Sequence, residues 1–421
     1  MERRDYRIAM VSVHSSPIGR LGTKDTGGMS VYIRELAREL GRRGHAVDIF
    51  TRSQDPQSRE IVEISPGVSV IHLKAGPREP LNPLAIFPHL PDFLRALQHF
   101  KAAHRLHYHL IHGHYWLSGR VGNWAAADWK VPHLFMFHTV GALKNLNCEA
   151  EKEPDLRVRV EKQVARDSDR IIAATEVERS ELVKHYGLPA SKIDVVPCGV
   201  DLDLFRPLNK RESRLALGLG PDPFIVLFVG RFAQLKRIDR IIHSLVQLRH
   251  LDPVQLVIVG GDGNGAPEEA NLHRLCRELN LQDRVTFVGG VEQRTLPVYY
   301  SAADVLVLPS EYESFGLVGL EALACGLPVV ATPVGAYSTI LRENLTGHLL
   351  TDGTADSIAR GIERFLTGGT ASRSPAEVIR SSVEAYSWSH VAAAVLQEYA
   401  SAVDHHRGAW SSMRGAEASA L

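Results

Sequence analysis

Residues 303–334 read ADVLVLPSEYESFGLVGLEALACGLPVVATPV, and the fold expected for the whole chain follows from their pattern. An apolar run from Val305 to Leu308 predicts a buried strand, and the residues from about Gly316 predict a helix that ends at the Gly326–Pro328 turn. A second apolar run, Val329–Thr332, predicts another strand. Strand, loop, helix and strand in this order form a βαβ unit, which is typical of doubly wound α/β domains.

The loop and helix of this unit carry two carboxylates, Glu313 and Glu321, eight residues apart. Eight helical steps of ~100° return a side chain to within roughly 80° of its starting direction, so both acids can face one cleft. Between them, the amides of Phe315, Gly316 and Leu317 lie at a helix start, where unpaired N–H groups attract phosphate. The alternative is that one acid caps the helix and the other is a buried, partnered glutamate.

Length and composition restrict the class of protein. The chain has 421 residues, and at about 150 residues per domain two domains are expected. Its 48 basic and 48 acidic side chains cancel, which leaves no net charge to attract nucleic acid. The four scattered cysteines indicate neither a disulfide framework nor a zinc site. No apolar run approaches the ~20 residues that cross a bilayer, and we expect a cytoplasmic protein.

The amino-terminal half alternates strands and helices. A loop containing Gly27 and Gly28 separates the first strand from a helix over Ser30–His45, an arrangement that cradles phosphate in doubly wound folds. Arg34 and two further arginines share one face of this helix, but interleaved glutamates favour an ordinary solvated face over a membrane-binding row. The predicted strands of this half include Ile8–Val13, Ala46–Thr51 and Val68–Leu73.

Polar side chains follow the next two predicted strands. His114 and Tyr115 end one strand, and His138 and Thr139 end the next. Because open α/β sheets bind ligands at the carboxyl ends of their strands, these residues are predicted to line a crevice. Five histidines between residues 104 and 114 suggest a metal site, but they span a helix and a strand and cannot all converge. For His138 a hydrogen-bonded core histidine is the alternative.

The second half begins with the strand FIVLFV and a loop carrying Arg231 and Lys236, two cations that can neutralise a diphosphate. The glycines of VQLVIVGGDGNG do not form a complete G-x-G-x-x-G, which argues against a dinucleotide oxidoreductase. Asp201 and Asp203 formally match a metal-binding D-x-D, but a turn is the favoured interpretation.

The E-x7-E segment and the G-R-x4-K loop together resemble the retaining glycosyltransferases of family 4, and the resemblance extends from about Ile8 to Tyr399. It implies that Glu313 and His138 bind the donor sugar and that Glu321 binds the ribose. It also implies that the backbone near Val291 meets the nucleotide base. For the diphosphate it implies Arg231, Lys236, the glycines Gly27 and Gly28, and the amides of Phe315, Gly316 and Leu317.

The segments SVHSSPIG, GGMSVYIREL, HYWLSG and FHT resemble a branch of this family that glycosylates phosphorylated acceptors. In that branch the positions of Tyr115, Thr139 and an arginine, here Arg157 or Arg159, hold the acceptor phosphate. Two positions depart from the pattern, because Asn82 or Pro83 stands in place of a phosphate-binding lysine and Ser30 in place of an asparagine. Arg78, in the same loop as the missing lysine, is the predicted replacement.

The resemblance implies the GT-B architecture, an α/β fold of two doubly wound domains facing a cleft. We expect an acceptor domain over residues 1–202, a nucleotide-sugar domain over 203–387, and a helix over 388–421 that returns to the first domain. The predicted activity is transfer of a sugar from a nucleotide diphosphate sugar to a small polar acceptor, without cofactor or metal. A neutral or lipid acceptor and a non-catalytic sugar-nucleotide-binding protein are the alternatives, and the sequence is compatible with a homodimer.

Overall fold

The computed structural model describes residues 5–19, 27–148, 152–250, 254–261, 267–367 and 374–419, with side chains up to residue 408. Its strands form two separate sheets, one of eight strands and one of six. Gly263 and Gly265, the last two glycines of the segment VQLVIVGGDGNG, lie outside the described residues. Among the helices of these segments, none combines the length and the apolar character that crossing a lipid bilayer requires.

The first sheet has the strand order β3-β4-β2-β1-β5-β6-β7-β8. All neighbouring strands are parallel except the edge pair β3 and β4, which is antiparallel. The strands are β1 (Arg7–Val11), β2 (Ala46–Arg52), β3 (Ile61–Ser65), β4 (Val68–Leu73), β5 (Leu110–His114), β6 (His133–Met136), β7 (Arg170–Ala173) and β8 (Ile193–Val195). The helices are α1 (Gly28–Arg42), α2 (Pro83–Ile86), α3 (Leu90–Ala103), α4 (Trp116–Trp129), α5 (Gly141–Asn147), α6 (Asp155–Asp167) and α7 (Glu176–Tyr186).

The second sheet has the order β11-β10-β9-β12-β13-β14 and is entirely parallel. Its strands are β9 (Phe224–Val229), β10 (Val254–Val259), β11 (Val285–Gly289), β12 (Val305–Leu308), β13 (Val329–Ala331) and β14 (Gly347–Leu349). The helices are α8 (Lys210–Ala216), α9 (Ile238–Gln247), α10 (Pro267–Glu278), α11 (Leu296–Ala302), α12 (Leu317–Ala324), α13 (Tyr337–Ile340), α14 (Ala355–Thr367), α15 (Ala376–Ser381) and α16 (Trp388–Ser419).

The continuous apolar runs of the sequence become central strands because helices cover both faces of each sheet. Every residue of β9 and of β12 is buried. The edge strand β3 was not predicted, since its sequence IVEIS is half exposed and carries no continuous apolar run. Pro66 and Gly67 join it to β4, and Gly67 takes the positive φ of 75° that a tight turn needs.

The last helix, α16, returns to the amino-terminal domain as predicted for the GT-B architecture. Its first residue, Trp388, stacks edge-on against Tyr32 of α1, with ring centroids 5.5 Å apart. Farther along, the hydroxyl of Tyr399 lies 2.8 Å from Nδ1 of His112, at the centre of the first sheet. The two domains are therefore joined both at the linker near residue 202 and through this helix; the position of the boundary stays a prediction.

Candidate active site

The helices α1 and α12 begin opposite each other, one in each domain. A Cβ placed on Gly28 would lie 3.3 Å from Cδ1 of Leu317, and one placed on Gly27 would lie 4.0 Å from Nε of Arg231. Neither helix has a side-chain cap at its start. Two uncapped helix N-termini and a guanidinium thus converge between the domains, an arrangement that favours a polyanion.

Gly316 fixes where α12 begins. Its φ of 101° is a conformation that side chains rarely adopt, and a Cβ here would lie 2.5 Å from the ring of the buried Tyr337. Phe315 is itself 3% exposed, and its carbonyl accepts a hydrogen bond from the N–H of Ala336 at 2.8 Å. The side chain of Phe315 therefore belongs to the core, and only its backbone can serve a ligand.

Lys236 and Glu313, which the sequence assigned to different parts of the donor, are in contact. Nζ of Lys236 lies 2.5 Å from Oε1 of Glu313, and the same oxygen accepts a hydrogen bond from Ser310 at 3.0 Å. The side chains are 17% and 15% exposed, so both remain within reach of a ligand. The two opposite charges therefore compensate each other at the surface between the domains.

Glu321 is buried and hydrogen-bonded within the second domain. Its carboxylate accepts from the hydroxyl of Tyr300 at 2.9 Å and from the amide of Gln293 at 3.3 Å. Burial raises the pKa of Glu321 to about 7, although both hydrogen bonds act to lower it. The orientation is compatible with ribose binding and equally with the alternative of a buried, partnered glutamate.

Gln293 also links the two domains, because its amide oxygen accepts a hydrogen bond from Arg34 of α1 at 2.5 Å. The prediction of a solvated arginine face is therefore wrong for Arg34, whose side chain is 14% exposed. It holds for the other two arginines of that face, Arg38 and Arg42, which pair with glutamates on their own helix. Arg34 and Gln293 are 259 positions apart, and no local pattern of the sequence could have joined them. Val291, two residues before Gln293, is half-buried and packs against the large hydrophobic core that includes the strands of the second sheet.

His138 follows β6 and has a positive φ of 59°. Its Nε2 lies 2.9 Å from Nδ1 of His114, whose own Nε2 is buried without a hydrogen-bond partner among the described residues. A buried lone pair costs less than a buried unpaired N–H, so His114 donates from Nδ1 and His138 carries its proton on Nδ1. Burial lowers the pKa of both rings, for His138 to about 3, so both imidazoles stay neutral.

Tyr115, Thr139 and Arg157 form one cluster, as the resemblance implied. Nη2 of Arg157 donates to Oγ1 and to the carbonyl of Thr139 at 2.8 and 2.9 Å, and its guanidinium carbon lies 4.7 Å from the ring centre of Tyr115. Arg157 is 2% exposed and pairs with Glu161 at 2.7 Å and with Glu153 at 2.9 Å. The sequence left Arg157 and Arg159 as alternatives.

Arg159 does not join this cluster. Two residues on, ~200° around helix α6, it is exposed to solvent.

The other predicted acceptor residues also lie outside the Arg157 cluster. Arg78 donates to Oγ of Ser53 and to the carbonyl of Asp55, both at 3.0 Å, and so holds the loop after β2. In place of the missing lysine, Asn82 caps α2 by accepting from the N–H of Ala85. The buried hydroxyl of Ser30 lies 2.6 Å from that of Ser15. Among the described residues, it makes no hydrogen bond to Tyr115, Thr139 or Arg157.

One further residue of this crevice was not predicted. The ring of His14, after β1, lies 4.4 Å from that of Tyr115. Burial, together with the charge of Arg157, lowers the pKa of His14 to about 3, so the ring stays neutral. The quoted segment SVHSSPIG contains His14, but nothing in its composition distinguishes a stacked crevice residue from a core histidine.

The Asp201-Leu202-Asp203 segment forms a turn, as predicted. Oδ1 of Asp201 accepts hydrogen bonds from the N–H groups of Asp203 and Leu204, both at 3.0 Å. This is the local geometry of an aspartate-initiated turn. Across the described residues, no three histidine, cysteine, aspartate or glutamate side chains lie close enough to one another to hold a metal ion.

Comparison with known proteins places the chain in a family. Residues 26–204 match the model of Glycosyltransferase Family 4, and residues 209–381 match that of Glycosyl transferases group 1. The chain is 40% identical to the D-inositol 3-phosphate glycosyltransferase 2 of Catenulispora acidiphila, over 97% of both chains. It is 39% identical to the D-inositol 3-phosphate glycosyltransferase of Mycolicibacterium smegmatis, over 95% of this chain and 92% of the relative.

Solved structures agree with this relationship. The sucrose-phosphate synthase of Thermosynechococcus elongatus superimposes with a TM-score of 0.87 at 34% identity, covering 94% of this chain and 99% of that one. Anabaena HepE, solved with UDP-glucose, has the same fold, with a TM-score of 0.74 at 19% identity over 94% of this chain and all of that one. The chain is a glycosyltransferase and belongs to the family 4 enzymes with the GT-B fold.

Proposed function

We propose that this chain transfers a sugar, with retention of anomeric configuration, from a nucleotide diphosphate sugar to a small phosphorylated polyol or sugar. Uridine is the favoured nucleotide. The observation that carries the proposal is that two uncapped helix starts, one from each domain, meet beside Arg231, while Lys236 lies against Glu313 shortly before the start of α12. This arrangement suits a diphosphate, and the cluster around Arg157 in the first domain suits the anion of an acceptor.

On the donor side, Arg231 and Lys236 neutralise the diphosphate together with the amides at the starts of α1 and α12. Glu313, once Lys236 turns to the phosphate, accepts sugar hydroxyls, and His138 donates to another from Nδ1. Glu321 accepts two ribose hydroxyls. These roles are supported by contacts between the domains, since Gly27 and Gly28 face Arg231 and Leu317, and Gln293 contacts both Glu321 and Arg34.

In this proposal no protein side chain attacks the sugar. The leaving diphosphate takes the proton of the acceptor hydroxyl on the face from which it departs, while the acceptor oxygen bonds to the anomeric carbon. The protein supplies position and charge stabilisation, which is the larger part of catalysis in reactions of this kind. No cofactor is needed.

A phosphorylated acceptor is supported by the names of the relatives, since one group acts on D-inositol 3-phosphate and the solved neighbour is a sucrose-phosphate synthase. A neutral acceptor is the second candidate, and one observation favours it. Arg157 is already compensated by Glu153 and Glu161, so the cluster offers less free positive charge than its arginine suggests.

Acceptor preference distinguishes the two candidates. With the best donor from a nucleotide-sugar panel, we expect the kcat/KM of the wild type to be higher for inositol phosphate or a hexose phosphate than for the same acceptor without phosphate. Thr139→Val, which removes one hydroxyl donor, should reduce that preference about tenfold. Arg78→Ala tests the predicted replacement of the missing lysine, and the exposed Arg159→Ala is the matched control. A wild-type preference for the uncharged acceptor would favour the second candidate.

Transfer is expected to survive a strong chelator. Arg231, Lys236 and the two helix starts meet the diphosphate charge without an ion, and Asp201 is engaged in its turn. The measurement is the initial rate before and after exhaustive treatment with EDTA. Loss of activity that added Mn²⁺ or Mg²⁺ restores would instead favour a metal at Asp201 and Asp203.

Donor binding is expected to weaken as the pH falls through about 7, because Glu321 must be ionised to accept two ribose hydroxyls. Burial raises its pKa to about 7, so below that pH binding must expel a proton and affinity falls by up to about tenfold per pH unit. The measurement is calorimetric titration from about pH 5.5 to about pH 8.5. The ligand should be the nucleotide diphosphate sugar, because the terminal phosphate of a free nucleotide diphosphate titrates near ~6.

Glu321→Gln should remove this pH dependence. Glu178→Gln should leave it intact, since burial also raises the pKa of Glu178 to about 7 but this residue lies in the first domain. The raised pKa of Glu321 also makes the stability of the folded protein depend on pH. The folded carboxyl holds its proton to a higher pH than an unperturbed glutamate with a pKa of 4.5, so its contribution to stability falls as pH rises from about 4.5 to about 7. A pH-independent donor affinity in the wild type would contradict the role of Glu321.

A further inference from the structure

Tyr312 precedes Glu313 on the loop after β12, but its side chain packs on the other domain. It is partly buried and packs against the hydrophobic core of the first domain. Its hydroxyl lies 3.0 Å from the N–H of Val140, which donates to it. Tyr312 thus connects the loop that carries the donor-sugar carboxylate to the loop that carries His138 and Thr139.

The loop over residues 138–142 is held one residue at a time. Its contacts are His114 to His138, Arg157 to Thr139, Tyr312 to Val140, Glu161 to Gly141 and Tyr186 to Ala142. In this set only Tyr312 comes from the second domain. The other four contacts fix the loop within its own domain, whereas Tyr312 fixes it relative to the donor.

We propose that Tyr312 is a positioning residue that aligns the acceptor loop with the donor loop. The inference rests on the proposed function and adds a residue to it. Transfer requires the acceptor oxygen and the anomeric carbon to approach within about 3–3.5 Å, although the groups that hold them belong to different domains. A hydrogen bond between residues that directly adjoin Thr139 and Glu313 sets this distance with few intervening bonds.

The phenol acts through hydrogen bonding and not as a base. Burial, and then the charge of Glu178, raise the pKa of Tyr312 above its usual value, so the hydroxyl keeps its proton at neutral pH. Without the hydroxyl, the N–H of Val140 would lose its partner at a partly buried position, and the loop would shift to reach another acceptor.

Tyr312→Phe tests the inference, with Tyr299→Phe as the matched control because the Tyr299 hydroxyl makes no hydrogen bond within the described residues. We expect Tyr312→Phe to have the melting temperature of the wild type and a donor affinity within about twofold of the wild-type value. Its kcat/KM for transfer should fall about tenfold. Hydrolysis of the donor relative to transfer should rise, which a purely structural role would not produce. Unchanged transfer, or a loss of donor affinity as large as the loss of transfer, would overturn the proposal.

Hydrogen exchange separates this inference from the proposed function. In the wild type, the backbone amides of residues 138–142 should exchange more slowly than in Tyr312→Phe, whether or not the right substrates have been found. Equal exchange in the two proteins would overturn the role of Tyr312. If the wild type transfers no sugar to any acceptor but this difference in exchange is seen, the proposed function is overturned. Tyr312 then serves only to join the two domains.

Discussion

Lys236→Ala is expected to cost about 2–4 kcal/mol of transition-state stabilisation, most of it seen in kcat/KM. In the proposed reaction negative charge grows on the diphosphate as the bond to the sugar breaks, and Lys236 is the cation expected to stabilise it. Arg231→Ala should have an effect of similar size, since its guanidinium stands at the start of α1. Initial rates over a range of donor concentrations measure both variants.

The contact between Lys236 and Glu313 makes a control necessary. The single variant leaves Glu313 without its cation, so part of the loss could come from a carboxylate that now repels the diphosphate. Lys236→Ala combined with Glu313→Gln removes both charges and should bind the free nucleotide diphosphate, which carries no sugar, more weakly than Glu313→Gln alone, because the cation itself is missing. Arg249→Ala is the matched control, since the length of α9 separates this exposed arginine from the loop that carries Lys236. Near-wild-type rates in both Lys236→Ala and Arg231→Ala would contradict the diphosphate site.

The sequence alone predicts those elements whose conformation depends on their own residues. The apolar run of β12, the glycine at the start of α12 and the turn after it each have a local cause, and the structure places β12 at the predicted bounds, Val305–Leu308. The half-exposed edge strand β3 has no such signal, because pairing with β4 and not its own pattern makes it a strand.

The contacts that complete the candidate site depend on chain folding between distant positions. Tyr312 and Val140 are 172 positions apart, and His114 reaches His138 only because β5 and β6 are neighbours in the sheet. The choice between Arg157 and Arg159 shows the same limit. Both arginines lie on one helix, and only the packing of α6 against α4 and α5 decides which of them is buried.

Arg157→Ala is expected to destabilise the protein by about 3–5 kcal/mol, a large loss for a single substitution. The carboxylate of Glu161 is fully buried and has Arg157 as its charged partner at 2.7 Å, so removal of the guanidinium leaves a buried charge uncompensated. Thr139 loses its hydrogen bonds in the same step, and the acceptor loop loses its support. The shift in the midpoint of urea unfolding, followed by tryptophan fluorescence, measures the effect.

Two variants establish that charge, and not lost volume, causes this destabilisation. Arg159→Ala removes the same side chain from the exposed face of the same helix and should change stability by less than about 0.5 kcal/mol. Arg157→Met combined with Glu161→Gln retains most of the volume while removing both charges, and should recover much of the loss because no buried charge remains unpaired. Transfer to a phosphorylated acceptor should stay low in this double variant even where stability returns. If Arg157→Ala unfolds at the same urea concentration as Arg159→Ala, the buried ion pair does not hold the acceptor loop.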